Sequence, residues 1–394
     1  METMQYIPRT IQSDIEKALA RGKSVMFLGP RQTGKTTLIE QLKPYRSISL
    51  ISPSIRQKYE KNPSLLFGEI KAIKQKNPLI CVDEIQKVPE LLDVIQELCD
   101  KKIAQFIITG SSARKLKRAS ANLLPGRVVS LYLDPFSYSE YCDKSLDELL
   151  RFGSLPGIIS SLDPDTDLQS YVETYLEEEV RAEALVRNVG NFARFLELAA
   201  IESGNAANFR GLSQDLGPSH TTIASYYQIL EDCLILQKIE PFFKSKTRKR
   251  LIRSPRYFFF DLGVRNICAK EYGSVSLVEK GHLFEQFIGL ELLRWARTKH
   301  GKVRIFFWSD PSGPEVDFVI ETSDELIPIE VKFSKSPSKR DIKHLLTFMD
   351  EYPKAKRAFV IANNEHDILM DENVLAVSWK NFLLKQLDLL INKY

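Results

Sequence analysis

Residues Gly29-Pro30-Arg31-Gln32-Thr33-Gly34-Lys35-Thr36, continued by Thr37, set two glycines, a lysine and a hydroxyl at the spacing G-x-x-x-x-G-K-[ST]. Glycines let successive backbone N–H groups turn toward one anion. Lys35 supplies a mobile ammonium for β- and γ-phosphates, and the Thr36 hydroxyl suits Mg²⁺. The chemistry is that of a nucleoside triphosphate, ATP with Mg²⁺. The apolar run Val25-Met26-Phe27-Leu28 before the loop predicts a strand. The amphipathic KTTLIEQL from Lys35 predicts a helix whose positive end faces the same phosphates. Downstream, Leu79-Ile80-Cys81-Val82 runs into Asp83-Glu84. A carboxylate at the end of a buried strand belongs in the Mg²⁺ shell, and the next one can polarise an attacking water, which favours a hydrolase over a kinase. A third apolar run, Gln105-Phe106-Ile107-Ile108, ends in Thr109-Gly110-Ser111-Ser112. Ser111 is the first choice for a γ-phosphate sensor and Thr109 the alternative, against a plain polar exit from a strand. Arg127, in Leu124-Pro125-Gly126-Arg127, has the placement of an arginine finger reaching a neighbouring subunit, or of an ordinary surface arginine.

A second constellation lies near the C-terminus. The helix predicted over His282-Leu283-Phe284-Glu285-Gln286-Phe287-Ile288 carries Glu285 among apolar neighbours. Two further strands are predicted, Glu315-Val316-Asp317-Phe318-Val319-Ile320 and Ile327-Pro328-Ile329-Glu330-Val331-Lys332-Phe333. Alternation sends Ile327, Ile329, Val331 and Phe333 to one face and Glu330 and Lys332 to the other. Asp317 and Glu330 on adjacent strands can bind Mg²⁺ through oxygen, Lys332 can orient a hydrolytic water, and Glu285 can support the shell. This D…E-x-K arrangement suits a metal-dependent nuclease. A structural ion-pair cluster is the competing reading.

Those residues need several elements to hold them. At 394 residues the chain suggests two or three domains. No run approaches a membrane span, and METMQYIPRT lacks the basic start and apolar core of a signal peptide, so a cytoplasmic protein is expected. Five scattered cysteines without a C-x-x-C pair suggest buried apolar side chains rather than disulfides or zinc. Strand and helix signals alternate from Val25 to about Leu133, as a helix-flanked parallel sheet requires. Helical spacing then runs through SYSEYC, LDELLRFG, SYVETYLEEEV and FARFLELAAI, which suits a helical lid. Between 207 and 260, two helices meet at Gly217, with Ser219 capping the second, and two strands follow. This reads as helix-turn-helix plus hairpin, a winged helix. The hairpin tip holds Lys244, Lys246, Arg248, Lys249 and Arg250, which match a nucleic-acid backbone or make a solvated loop. The net charge of +4 is mild, but it is concentrated there.

With these residues in place, the chain resembles prokaryotic AAA+ type P-loop ATPases that carry a C-terminal domain of unknown function with a PD-(D/E)XK nuclease-like end. The resemblance rests on GPRQTGKTT, CVDEIQKVP, TGSSA, LPGRV, LDPFSYSEY, GSLPG, FFFDLGVRN, GHLFE, EVDFVI and IEVKFS, in that order along nearly the whole length. It implies an α/β protein: an ATPase core over 1–135, a helical lid over 136–200, a winged helix over 201–265 and a restriction-endonuclease-like domain over 266–394. It also implies DNA, duplex or branched, as the partner, and a homo-oligomeric ring, for which a hexamer is one size. Three functions follow as expectations: an ATP-driven DNA machine, an ATP-dependent switch with slow hydrolysis as timer, or a protein-binding ATPase with an inert nuclease-like scaffold.

Overall fold

The computed structural model describes residues 6–111, 126–176, 189–243, 254–271, 276–310 and 313–389. The predicted basic tip, Lys244 to Arg250, lies outside the described residues. Five strands, β1 (Ser24–Leu28), β2 (Arg46–Ser49), β3 (Leu79–Asp83), β4 (Gln105–Gly110) and β5 (Val128–Tyr132), form one parallel sheet in the order β2-β3-β4-β1-β5. β1 and β3 are buried at nearly every position because helices cover both faces, as all-parallel sheets require. Met26, Leu28, Ile80, Val82 and Ile108 pack on one face, and Val25, Phe27, Cys81 and Ile107 on the other.

The order matters for chemistry. β4 lies between β1 and β3, with Val82 opposite Ile108 and Leu28 opposite Gly110. Asp83 therefore leaves the sheet beside Thr109, and Ser111 leaves it alongside the start of the glycine loop.

SYSEYC does not form the expected helix. Residues 137–142 are turns and irregular chain, and the first helix after β5 is Leu146–Phe152, opened by a capping box between Ser145 and Glu148. Helical spacing loses here because distant side chains bind the backbone of this segment, as described below. Helices Pro156–Ile159, Pro164–Ser170, Val189–Ile201, Phe209–Leu216 and His220–Asp232 follow. Gly217 ends the fourth of these with φ 91°, where other residues would be strained, and Ser219 caps the fifth by accepting from the Thr222 amide at 3.2 Å.

β6 (Leu236–Pro241) and β7 (Arg256–Phe259) pair antiparallel as the expected hairpin. The hairpin does not stand apart. β6 pairs in parallel with β8 (Arg304–Ser309), so it continues a second sheet in the order β12-β13-β11-β10-β9-β8-β6-β7. The rest of that sheet is β9 (Glu315–Glu321), β10 (Leu326–Lys332), β11 (Ala358–Ala362), β12 (Ile368–Asp371) and β13 (Val374–Ser378). The 22-residue helix Leu277–Thr298 packs on one face through Leu283, Phe284, Phe287 and Ile288, joined by Tyr138, Leu149 and Leu150 from the segment after β5. Each buried aromatic or aliphatic side chain there contributes about 1.5–3 kcal/mol relative to exposure. Helix Lys343–Glu351 covers the other face with Leu345 and Phe348. Cys81, Cys233 and Cys268 are buried as expected, but Cys99 is only half-buried and Cys142 is exposed.

Candidate functional site

Gly29 must be glycine, since a Cβ would stand 2.4 Å from the Leu133 carbonyl oxygen, and Gly34 turns the loop into its helix with φ 92°. The Lys35 side chain is buried over the loop, where its Nζ donates to the carbonyls of Gly29 at 2.7 Å and Pro30 at 2.8 Å. Thr33 Oγ1 closes the turn by donating to Pro30 O at 2.9 Å. Thr36 and Thr37 are exposed on the first turn of helix Lys35–Gln41, and Gln32 is exposed at φ 60°. Arg31 offers its carbonyl to the Tyr171 hydroxyl at 3.3 Å.

Beside the loop, Thr109 Oγ1 donates to Asp83 and accepts from the Glu84 amide at 3.1 Å, while Ser49 Oγ lies 3.4 Å from the other Asp83 oxygen. Glu84 takes left-handed backbone angles, φ 58° and ψ 48°, an arrangement that costs a non-glycine residue roughly 1–3 kcal/mol. The turn sends its carboxylate inward rather than along the strand. There Glu84 Oε2 accepts from Gln86 Nε2 and from Ser111 Oγ at 3.3 Å, and Gln86 Nε2 also reaches Ser111 Oγ at 3.1 Å. Both sensor candidates thus touch the acidic pair, Ser111 through Glu84 and Thr109 through Asp83. Gln86 was not predicted. Its only sequence signal is a polar residue in the short Ile85-Gln86-Lys87 turn after the carboxylates.

Arg127 is not part of this cluster. It precedes β5, whose Val128 pairs with Ser24 at the start of β1, so it stands at the opposite end of the sheet from Gly29 and binds Asp100 at 2.5 Å. It is far from the loop of its own chain.

A second cluster forms on the other sheet. Lys332 Nζ donates to Glu330 Oε1 at 2.6 Å, and Asp317 Oδ2 accepts from the Val331 amide at 2.8 Å. Glu285 reaches the same place from helix Leu277–Thr298 and pairs at 2.9 Å with Arg256, which also binds Glu315. Arg256 heads the apolar run Tyr257-Phe258-Phe259 of the hairpin and was not foreseen as a site residue. Burial first, then Asp317, pushes Glu330 up to about 8 against the pull of Lys332. Burial and Asp317 likewise push Glu285 up to about 7 against Arg256. Burial alone would lower Lys332, but Glu330 and Asp317 outweigh it and raise it. Glu330 Oε2 is buried with no hydrogen-bond partner. Among the described residues, no three His, Cys, Asp or Glu side chains are grouped to hold a metal ion. Mg²⁺ commonly takes only one or two protein carboxylates, with water and phosphate completing its shell. The unpartnered Glu330 oxygen and the crowded negative charge therefore fit a cation between Asp317 and Glu330.

Residues 21–142 match the family model described as AAA domain. The chain carries an AAA domain. Behind it, residues 143–271 and 280–382 match two domains of unknown function, DUF8612 and DUF4143. An uncharacterized protein of Mycobacterium tuberculosis is 25% identical over 94% of this chain and 83% of its own length. One of Haemophilus influenzae is 23% identical over 83% and 86%. Among solved structures, the Thermococcus gammatolerans McrB AAA+ hexamer with bound McrC is similar over 56% of this chain and 78% of that one, at 12% identity and TM-score 0.23. A Vibrio cholerae protein is similar over 93% and 97%, at 12% identity and TM-score 0.22. Among the described residues of the AAA-domain chain, no helix is long and apolar enough to cross a membrane.

Proposed function

We propose that this AAA-domain chain hydrolyses ATP and uses the cycle to act on DNA as a homo-oligomer, with a divalent-metal nuclease site at its C-terminal end. The observation that carries the reading is the side-by-side exit of β3 and β4, which gathers Asp83, Glu84, Thr109 and Ser111 next to the glycine loop. Lys35 exchanges the Gly29 and Pro30 carbonyls for phosphate oxygens, Thr36 and Asp83 are the residues that would hold Mg²⁺, and the ion would neutralise charge on the phosphates. Glu84 takes a proton from the attacking water, and Ser111, already bound to Glu84, senses the γ-phosphate. Arg127, remote from its own loop, serves the loop of a neighbouring copy. The hairpin tip from Lys244 to Arg250 meets the DNA backbone.

At the C-terminal cluster, Asp317 and Glu330 would hold the cation and Lys332 would orient water. Arg256 supports a second reading: it pairs with both Glu285 and Glu315, a bridge that suits an inert scaffold. The deciding experiment incubates linear, forked and four-way DNA with Mg²⁺ or Mn²⁺ while ATP turnover is measured in parallel. Metal-dependent cleavage lost in Asp317→Ala and Lys332→Ala, with turnover retained, supports the nuclease. Turnover without cleavage of any substrate supports the scaffold.

A further inference from the structure

We propose that Arg9 is a positioning residue for the glycine loop and that helix Leu277–Thr298 sets its position, so that a nucleotide bound in the AAA domain is felt in the second sheet. The inference rests on the reading of that loop as an ATP site.

Arg9 lies outside every motif, yet it is buried and spends its whole guanidinium on backbone and one carboxylate. Nη1 donates to Thr33 O at 2.8 Å, immediately before Gly34 and Lys35. Nη2 donates to Asp134 O at 2.7 Å and Pro135 O at 3.3 Å, and Nε to Glu140 at 3.1 Å, with the guanidinium over the Phe136 ring at 4.5 Å. Bonds from a charged donor are the strong kind, and a planar fork fixes direction as a lysine cannot. The loop is thereby tied to a strap, residues 134–141.

The strap is gripped again from its other side. Arg294 Nη1 donates to Phe136 O at 2.9 Å, and Glu291 accepts from the Tyr138 amide at 2.9 Å. Arg294 also reaches Ser154 Oγ at 3.1 Å and Phe260 O at 3.1 Å. Glu291 and Arg294 belong to the helix that carries Glu285, and Tyr138 packs against Trp379 at a ring separation of 4.7 Å. A cavity of about 380 Å³, lined by Arg9, Arg294 and Trp295 among others, leaves the strap room to shift. Any movement of Thr33 that accommodates phosphates displaces Arg9, then the strap, then the helix.

The three tryptophans, Trp295, Trp308 and Trp379, all lie in the C-terminal part, which makes them reporters remote in sequence from the loop. The full-length protein is titrated with a non-hydrolysable ATP analogue and Mg²⁺ by calorimetry and by tryptophan emission. Emission should change along the calorimetric isotherm. Arg9→Lys and Arg294→Lys should each weaken analogue binding, on the order of tenfold for Arg9→Lys, while kcat at saturating ATP falls by less than about threefold. Binding heat with no change in emission overturns the inference while leaving the ATP site standing. So does wild-type affinity in both variants. No binding heat in the wild type removes the ATP site, and the inference with it.

Discussion

In the proposed hydrolysis Glu84 is the residue on which the chemistry turns, because its left-handed backbone points the carboxylate at Gln86 and Ser111. Glu84→Gln should bind ATP like the wild type and lose hydrolysis, whereas Lys35→Ala should lose binding itself. Nucleotide affinity and phosphate release measured on both separate the roles, and wild-type turnover in Glu84→Gln would refute the water-activating assignment. Gln86→Met should lower kcat by about tenfold with affinity nearly unchanged, since its side-chain amide binds Glu84 and Ser111, the proposed water activator and sensor. At the other sheet the titration has a definite sign. Glu285 and Glu330 hold their protons more tightly in the fold, at about 7 and about 8, than at the ordinary value of 4.5. The folded state therefore binds more protons than the unfolded one, and stability falls as pH rises from about 4.5 through about 8. In EDTA, Tm should fall across that window. Glu330→Gln, which cannot ionise, should flatten the fall, and an unchanged pH profile in that variant would show that Glu330 ionises freely.

At the scale of elements, the hairpin and its basic tip carry the DNA prediction. Neutralising Lys246, Arg248, Lys249 and Arg250 should weaken binding for all sequences alike, with the salt slope reduced by about 0.9 per lost duplex phosphate contact. An unchanged salt titration would return the run to a solvated loop. The elements that were legible in sequence are those written in consecutive residues: β1 with its glycine loop, β3 ending in Asp83, and the Gly217 and Ser219 caps. The illegible parts are contacts across long separations. Arg9 meets Asp134 over 125 positions and Arg294 meets Phe136 over 158, so no local pattern announces either. SYSEYC has helical spacing, but Arg294 and Glu291 bind its backbone and its entry, leaving fewer groups for helical bonds. E-x-K was visible as a pair. That Arg256 would enter from the hairpin was not, because only the β6–β8 pairing brings it there.

For the whole molecule, the finger role proposed for Arg127 would need a second copy. It stands at the far end of its own sheet and binds Asp100, so a finger there would act on another chain's loop, and an ordinary surface arginine is the competing reading. Arg127→Ala should reduce turnover on the order of 10³-fold if it acts as a finger. Mixing inactive Arg127→Ala with inactive Lys35→Ala should restore part of the activity, as some interfaces then join an intact arginine to an intact lysine. A fully active monomer would exclude the finger.

The pairing of β6 with β8 bears on how such a chain can be dismantled or inherited. The two matched regions of unknown function meet between residues 271 and 280, and a cut there looks natural in sequence. It would take β6 and β7 away from β8, baring a row of backbone donors and acceptors on an apolar strand, and would remove Arg256 from Glu285 and Glu315. A fragment starting at 276 should therefore aggregate more readily than one that keeps β6, β7 and the helices packed on them. The later half of this chain shares one sheet, and recombination that swapped only its last part should deliver a sheet with a sticky edge.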